Sequence, residues 1–526
     1  MSEVKHPQKV AVQTHKLTKT FDQVVACDQV SFDVRSGEIL ALLGENGSGK
    51  TTLMNMLSGI YFPDSGTIEV DGKEVTIKTP KNAFDLGIGM VHQHFKLVDL
   101  FTAAENVVLG LPGNVIIDRK GQADKIREIS SRYGFALDPD KKIYNMSVSE
   151  KQTVEIIKVL YRGAEILILD EPTAVLTPQE TERLFVTLRN MRDDGKAIVI
   201  ITHKLNEVMA VSDRVHVLRR GKSIATVNTS ETTPTELTEM MVGQAINLKI
   251  DRPVVEEQVE RLRVEKLHCQ SPDGVAALQD INFSLKSGEI LGVAGVSGNG
   301  QKELCEALAG LYPIGEGAVF YHTESGKAVD TVGKTPQEIK ELGILFAFVP
   351  EDRLGMGLVA NMDMTENVLL RYYDSEKHPF VNRKHSRNLA QSLIEQLKIV
   401  TPGVSTPVRR LSGGNVQKVL LGREIASAPR VLIVAYPVRG LDINSSYTIY
   451  DLLNEQKKQG VAVLFIGEDL DVLLELSDRI LVLCGGQVSG LVDAKTTTKE
   501  EVGLLMTRLP NAIDAAEQVE GEGASA

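Results

Sequence analysis

The sequence predicts an α/β chain of two tandem domains built on one plan, each a mostly parallel sheet covered by helices. Three observations carry this. Residues 37–59, GEILALLGENGSGKTTLMNMLSG, run from an apolar strand pattern through a glycine-rich loop into a helical pattern. The phrases around that loop recur once. Val30-Ser31-Phe32-Asp33-Val34 and Ser36-Gly37-Glu38-Ile39-Leu40 return as Ile281-Asn282-Phe283-Ser284-Leu285 and Ser287-Gly288-Glu289-Ile290-Leu291. Further on, Glu105-Asn106-Val107 returns as Glu366-Asn367-Val368 and Ser212-Asp213-Arg214 as Ser477-Asp478-Arg479. The offset is about 250 to 265 residues throughout, far beyond a solenoid period, so one domain is present twice. Strand and helix patterns with glycine-rich turns fill each half, as a parallel sheet requires.

The 526 residues fit two large domains, each long enough to bury a core. Hydrophobic residues at 42% and charged residues at 24% are ordinary for a globular protein. A net charge of −12 argues against a surface that as a whole seeks nucleic acid or anionic lipid. Cys27, Cys269, Cys305 and Cys484 are scattered, without a C-x-x-C pair, and read as reduced, buried thiols. Neither an apolar signal core nor a bilayer-length apolar run is found, so the chain is expected to be neither exported nor integral to a membrane. The expected organisation is a tail over 1–9, a first domain over 10–248, a charged connection over 249–263, a second domain over 264–509 and a tail over 510–526.

The first loop, Gly44-Glu45-Asn46-Gly47-Ser48-Gly49-Lys50-Thr51, fits G-x-x-x-x-G-K-[ST] between a strand and a helix, which is a P-loop in its required context. The glycines let successive N–H groups converge on a polyphosphate at the positive end of the helix that Thr52 continues. Lys50 is expected to reach the β/γ-phosphates, and the Thr51 hydroxyl to be a ligand of Mg²⁺. The strand Ile166 to Leu169 ends in Asp170-Glu171-Pro172. Two carboxylates at the mouth of a buried strand are costly unless a cation meets them. Asp170 is therefore assigned to the metal and Glu171 to polarising the attacking water. A third strand, Ala197 to Thr202, ends in His203, placed to meet the γ-phosphate.

With these motifs in order, the chain resembles the ATP-binding cassette ATPases over nearly its whole length. The resemblance implies two P-loop ATPase domains, each with an added helical subdomain, that bind ATP and Mg²⁺ and hydrolyse ATP. Gln93, in Val91-His92-Gln93, is similar to that family's Q-loop glutamine, which touches the metal and the attacking water. Phe21 is similar to the aromatic that stacks on adenine.

The second copy departs from this pattern. Gln301 stands for Lys50, Lys302 for Thr51, Ala435-Tyr436 for Asp170-Glu171, Glu468 for His203 and Glu351 for Gln93, and Pro272 falls near the place of Phe21. It should not hydrolyse ATP with its own residues. Yet Leu411-Ser412-Gly413-Gly414-Asn415 resembles the family signature, and Asp442 its D-loop acid. The first copy has Met146-Ser147-Val148-Ser149-Glu150, without a glycine, and Thr177. Since cassettes of this family pair head to tail, the resemblance implies one complete site. Lys50, Thr51, Gln93, Asp170, Glu171 and His203 would be closed by Ser412, Gly413 and Gly414.

Tandem cassettes with a weakened second half resemble the importer ATPases for simple sugars and nucleosides. Tyr161-Arg162-Gly163-Ala164, Gly298-Asn299-Gly300-Gln301 and Pro350-Glu351-Asp352-Arg353 look closest to the nucleoside branch. The implied partners are two transmembrane permease subunits and, indirectly, an extracytoplasmic solute-binding protein, with the chain peripheral on the cytoplasmic face of the cell membrane. No nucleic acid is expected. The competing class is the soluble tandem-cassette ATPases acting on ribosomes or nucleic acid, which usually carry a long basic linker and two intact sites.

Overall fold

The computed structural model of the chain describes residues 9–508 other than 23, 94, 112–117, 175, 244–248, 297, 324–325, 343 and 374–382. The expected tails over 1–8 and 510–526, the boundary at Leu248 and Ser297 of the second loop therefore lie outside the described residues. The chain divides into two compact units, Met1–Asn247 and Leu248–Ala526.

In the first unit a six-stranded sheet has the order Lys222–Asn228, Arg214–Arg219, Glu38–Leu43, Ala197–Ile201, Ile166–Asp170, Ile88–Val91. Every neighbouring pair is parallel except the first, which is an antiparallel hairpin. Strand Glu38–Leu43 is buried at all positions, as an apolar run covered on both faces must be. One face packs Leu40 and Leu42 with Leu53 and Leu57 of helix Lys50–Leu57. The same core takes Val12, Leu17, Val30 and Val34 from a four-stranded antiparallel sheet, Val24–Arg35, Val10–Phe21, Ser65–Val70 and Lys73–Val75. The other face packs Ile39, Leu167, Leu169 and Ile200 against Leu184, Phe185 and Leu188 of helix Pro178–Asp193. Helices Ala103–Val108, Arg119–Tyr133 and Val148–Tyr161 share a separate small core of Val107, Ile126, Val154 and Ile157, which is the expected helical subdomain.

The second unit repeats this plan. Its sheet has the order Phe346–Val349, Val431–Ala435, Ala462–Ile466, Ile290–Gly295, Arg479–Cys484, Gln487–Asp493, again parallel but for the terminal hairpin. In both units the carboxyl ends of adjacent parallel strands lie at one edge, where α/β sheets bind their ligands. In the first unit the residues leaving that edge are 44–51, Gln93, Glu171 and His203.

The segment 249–263, expected as a surface connection, is part of the second unit. Ile250 is buried in its core, the Arg252 guanidinium donates to the carbonyls of Leu474 and Ser477 at 3.2 and 2.6 Å, and strand Glu260–Gln270 has begun. That strand buries Leu262 and Val264 between two antiparallel neighbours, and the charged residues alternating with them hide the pattern. The four cysteines are buried and free of disulfides. Among the described residues no helix is long and apolar enough to cross a membrane.

Candidate active site

The loop after strand Glu38–Leu43 is shaped by two glycines that nothing larger could replace. A Cβ on Gly44 would lie 2.4 Å from the carbonyl oxygen of Leu218, and one on Gly49 2.3 Å from that of Ala26. Gly49 also has φ +100° and is the residue on which helix Lys50–Leu57 starts. With no side-chain cap there, the first N–H groups of that helix are left for a ligand. Asn46, Gly47 and Thr51 are exposed, and Glu45 and Thr52 half-buried. The Lys50 ammonium folds back on the carbonyls of Gly44 and Glu45 at 2.6 and 2.9 Å, and burial lowers its affinity for the proton. The buried Ser48 hydroxyl has no partner among the described residues, an orphan of the kind an absent ligand leaves.

Beside this loop, Glu171 joins two other strand ends. Its carboxylate accepts from the Gln93 amide at 3.0 Å and pairs with Nδ1 of His203 at 2.9 Å. The bond with His203 holds Glu171 below the usual carboxylate range, against its burial. Glu171 has φ +46°, a left-handed conformation unusual for a residue with a Cβ, and its N–H donates to the Ile201 carbonyl at 2.9 Å. Strain of this kind survives only where the surroundings enforce it. Burial and the adjacent Glu171 push the Asp170 carboxyl up to about 6, with Lys50 as the opposing charge. Asp170 is thus under-compensated by the chain itself, and a divalent cation fits it.

Among the described residues no group of three or more His, Cys, Asp or Glu side chains could by itself hold a metal. Asp170 and Thr51 fit Mg²⁺, an ion that takes one or two protein oxygens and completes its shell with water and phosphate.

Phe21 is 39% exposed, with Tyr61 edge-on to it at a centroid distance of 5.1 Å. The hairpin that carries it meets the loop through the Cys27 Sγ contact to the Gly49 carbonyl, 3.6 Å. Tyr61 was not foreseen from the sequence, where a lone tyrosine after a helix gives no signal.

In the second unit the loop backbone is kept, with φ +88° at Gly298 and +100° at Gly300. Gln301 folds back on the Val296 carbonyl at 3.1 Å, in the manner of Lys50. Tyr436 takes the left-handed position with φ +48°, and burial together with Glu468 and Glu351 raises its phenol so far that it stays protonated. Arg439 pairs with Glu351 and, at 3.1 Å, with Glu468, a cluster not foreseen from the sequence because its members are far apart in the chain.

The two signature segments also differ. In the first unit Ser147 caps helix Val148–Tyr161 in a reciprocal box with Glu150, so the N–H groups of Ser147 and Glu150 are taken and a carboxylate sits at the helix start. In the second, Ser412 makes no such cap on helix Gly413–Ile425, and Ser412 and Gly413 are exposed. Gly414 is buried, and a Cβ on it would lie 2.5 Å from the Ser445 hydroxyl. Its glycine is therefore required by packing against the turn that Asp442 caps.

A family model described as ABC transporter matches residues 27–174 and 278–437. The chain is 42% identical to the nucleoside import ATP-binding protein NupA of Lactococcus lactis, over 95% of this chain and 98% of that one. It is 43% identical to the guanosine import ATP-binding protein NupO of Bacillus subtilis, over 94% and 97%. Identity to the ribose import ATP-binding protein RbsA 1 of Streptomyces avermitilis is 40%, over 92% and 91%. A solved archaeal ribosome recycling factor, aABCE1 in complex with the stalk protein aP1, matches 91% of this chain and 88% of its own with a TM-score of 0.57. At 18% identity the likeness is one of fold alone.

Proposed function

The chain belongs to the ABC transporter family and is an ATPase of that family, and from this premise we propose that it energises nucleoside import through one composite catalytic site. The observation that carries the composite site is the complementary pattern of the two units. The first holds Lys50, Asp170, Glu171 and His203 but a signature helix closed by Glu150. The second holds an open signature helix but Tyr436, Ala435 and Gln301 where the chemistry would be.

In this reading the N–H groups after Gly47 and the Lys50 ammonium bind the β/γ-phosphates of ATP, with Phe21 stacked on the base. Thr51 and Asp170 hold Mg²⁺, which supplies charge neutralisation to the phosphates, and Gln93 adds a contact to it. Glu171 takes the proton of the attacking water, while His203 orients the Glu171 carboxylate and meets the transferring phosphoryl group. Ser412, Gly413 and Gly414 donate from the far side.

The partners are two permease subunits in the membrane and, through them, a solute-binding protein on the other side, with this chain on the cytoplasmic face. Nucleosides are favoured over sugars by the identities of 42% and 43% to nucleoside and guanosine import proteins, against 40% for the ribose protein. Co-expression with its permeases in membrane vesicles tests this. Uptake of labelled guanosine or another nucleoside that needs ATP inside and stops in Glu171→Gln is expected. Uptake of ribose alone would reject the nucleoside reading.

A further inference from the structure

In the first unit the strand-end cluster has an acid at its centre, Glu171, bonded to Gln93 on one side and His203 on the other. The second unit carries the charge-inverted arrangement. The outer positions are now acids, Glu351 after strand Phe346–Val349 and Glu468 after strand Ala462–Ile466, and the centre is a cation, Arg439. Arg439 stands three residues beyond Tyr436, where the first unit has Ala174 three residues beyond Glu171. Two carboxylates facing one another would repel unless a cation lay between them, and here the chain supplies it. The guanidinium also lies 5.9 Å from the centre of the Tyr436 ring.

The same residue fastens the segment that follows Glu351. The Arg353 side chain donates to the main-chain carbonyl of Arg439, and burial makes Arg353 a weaker base than usual. Residues Arg353–Gly357 form a wide helical turn, with Gly355 N–H donating to Asp352 at 2.8 Å and Arg423 donating to the Gly357 carbonyl at 2.8 Å. In the first unit the corresponding loop is held by Gln93 to Glu171 and by the Lys96 N–H to Glu155 at 2.6 Å.

We infer that Arg439 is a built-in cation that positions the 350–357 loop of the second unit permanently, so that this loop does not follow nucleotide or metal. The guanidinium does by covalent attachment what the first unit leaves to a dissociable ion. On the proposed function, which this inference extends, the chain passes its nucleotide state to permeases. The loop after Glu351 is then fixed through the cycle, and the loop after Gln93 is the one left free to move with nucleotide.

Hydrogen exchange on the full-length protein, followed by mass spectrometry, tests this without permeases or turnover. In the unsubstituted chain, exchange across 346–358 is expected to be the same in EDTA and in Mg²⁺-ATP. In Arg439→Gln it should rise about tenfold, the scale of two partly exposed ion pairs, while peptides from strands Val431–Ala435 and Glu38–Leu43 stay unchanged and report an intact fold. Adding Glu351→Gln and Glu468→Gln to Arg439→Gln should restore part of the protection by removing the repulsion, which loss of packing alone would not allow. Should Arg439→Gln disturb the strand peptides, Glu468→Gln alone gives the same test with a smaller rise. Unaltered exchange in the variants, or protection of 346–358 by Mg²⁺-ATP in the unsubstituted chain, would overturn the inference. Failure of 88–101 to respond to Mg²⁺-ATP would instead count against the proposed function.

Discussion

Glu171 and Tyr436 occupy the same point of two backbones. Each has a left-handed conformation, φ +46° and +48°, and each donates its N–H at 2.9 Å to the last residue of the neighbouring strand, Ile201 or Ile466. The left-handed backbone position held by Glu171, the proposed catalytic base, is therefore kept in the second unit under a tyrosine. A scaffold of this kind positions a side chain whatever its chemistry, so the difference between the units lies in the side chains.

Replacing Glu171 with Gln should reduce the turnover number by about 10²- to 10⁴-fold, the range for loss of a general base, while ATP still binds. Steady-state phosphate release and equilibrium binding measure the two. Adding Tyr436→Glu to that variant should recover nothing, because Ala435, Gln301 and the Arg439 ion pairs remain.

Asp170→Asn should stabilise the nucleotide-free chain. The carboxyl is pushed up to about 6 by burial and by Glu171, so at pH 7 to 8 the folded state carries a charge it disfavours. Thermal unfolding without nucleotide should show a higher midpoint for the variant, by a few degrees. The further stabilisation that Mg²⁺-ATP brings to the native chain should be lost.

Phe21→Ala should weaken ATP binding about tenfold, as loss of one base-stacking contact does, with little change in turnover at saturation. Tyr61→Ala should act the same way to a lesser degree, since Tyr61 supports the Phe21 ring from its edge. Titration with a fluorescent ATP analogue reads both.

His216 gives the first unit one pH dependence, opposite in sign to that of Asp170. The ring is buried between Thr226 and Ser223 hydroxyls at 2.7 and 3.1 Å, and burial, with Arg214 nearby, lowers it to about 4. Between pH 6.5 and 4 the unfolded chain takes up a proton at this histidine that the folded one does not, so the His216 contribution to stability falls as pH falls through that window. That contribution is about 3 kcal/mol at most, and denaturant unfolding of His216→Gln should lose less stability than the native chain as pH is lowered from 6.5 to 4.

The parts of the site that the sequence announces are those whose chemistry fixes both residue type and spacing. Lys50 and Thr51 open the helix that the glycine loop after a buried strand leads into, Asp170 ends a buried strand, Glu171 follows it and His203 lies two residues past another, so strand ends, loop spacing and residue identity suffice to find them. Arg439 escaped because its meaning depends on Glu351 and Glu468, which only the sheet order brings together. Tyr61 needs the Phe21 hairpin to be seen. The charged alternation over 256–263 hid the start of a strand, and Gly414, grouped with the phosphate-facing residues by resemblance, also packs against Ser445, which the sequence does not show.

Gly413 and Gly414 separate two roles that the signature motif merges. A Cβ on Gly413 meets nothing nearer than the Arg353 guanidinium at 3.4 Å, so the position accepts a side chain. Gly414→Ala, at 2.5 Å from Ser445 Oγ, should instead cost about 1–3 kcal/mol of stability in the second unit.

ATP turnover by Gly413→Asp is the decisive measurement. The substitution lies in the second unit, more than 200 residues along the chain from the last of the first unit's proposed catalytic residues, yet it should lower steady-state hydrolysis to the level of Glu171→Gln, with thermal stability unchanged. Hydrolysis at the native rate would mean that the first unit completes its site without the second, and the composite site would be wrong.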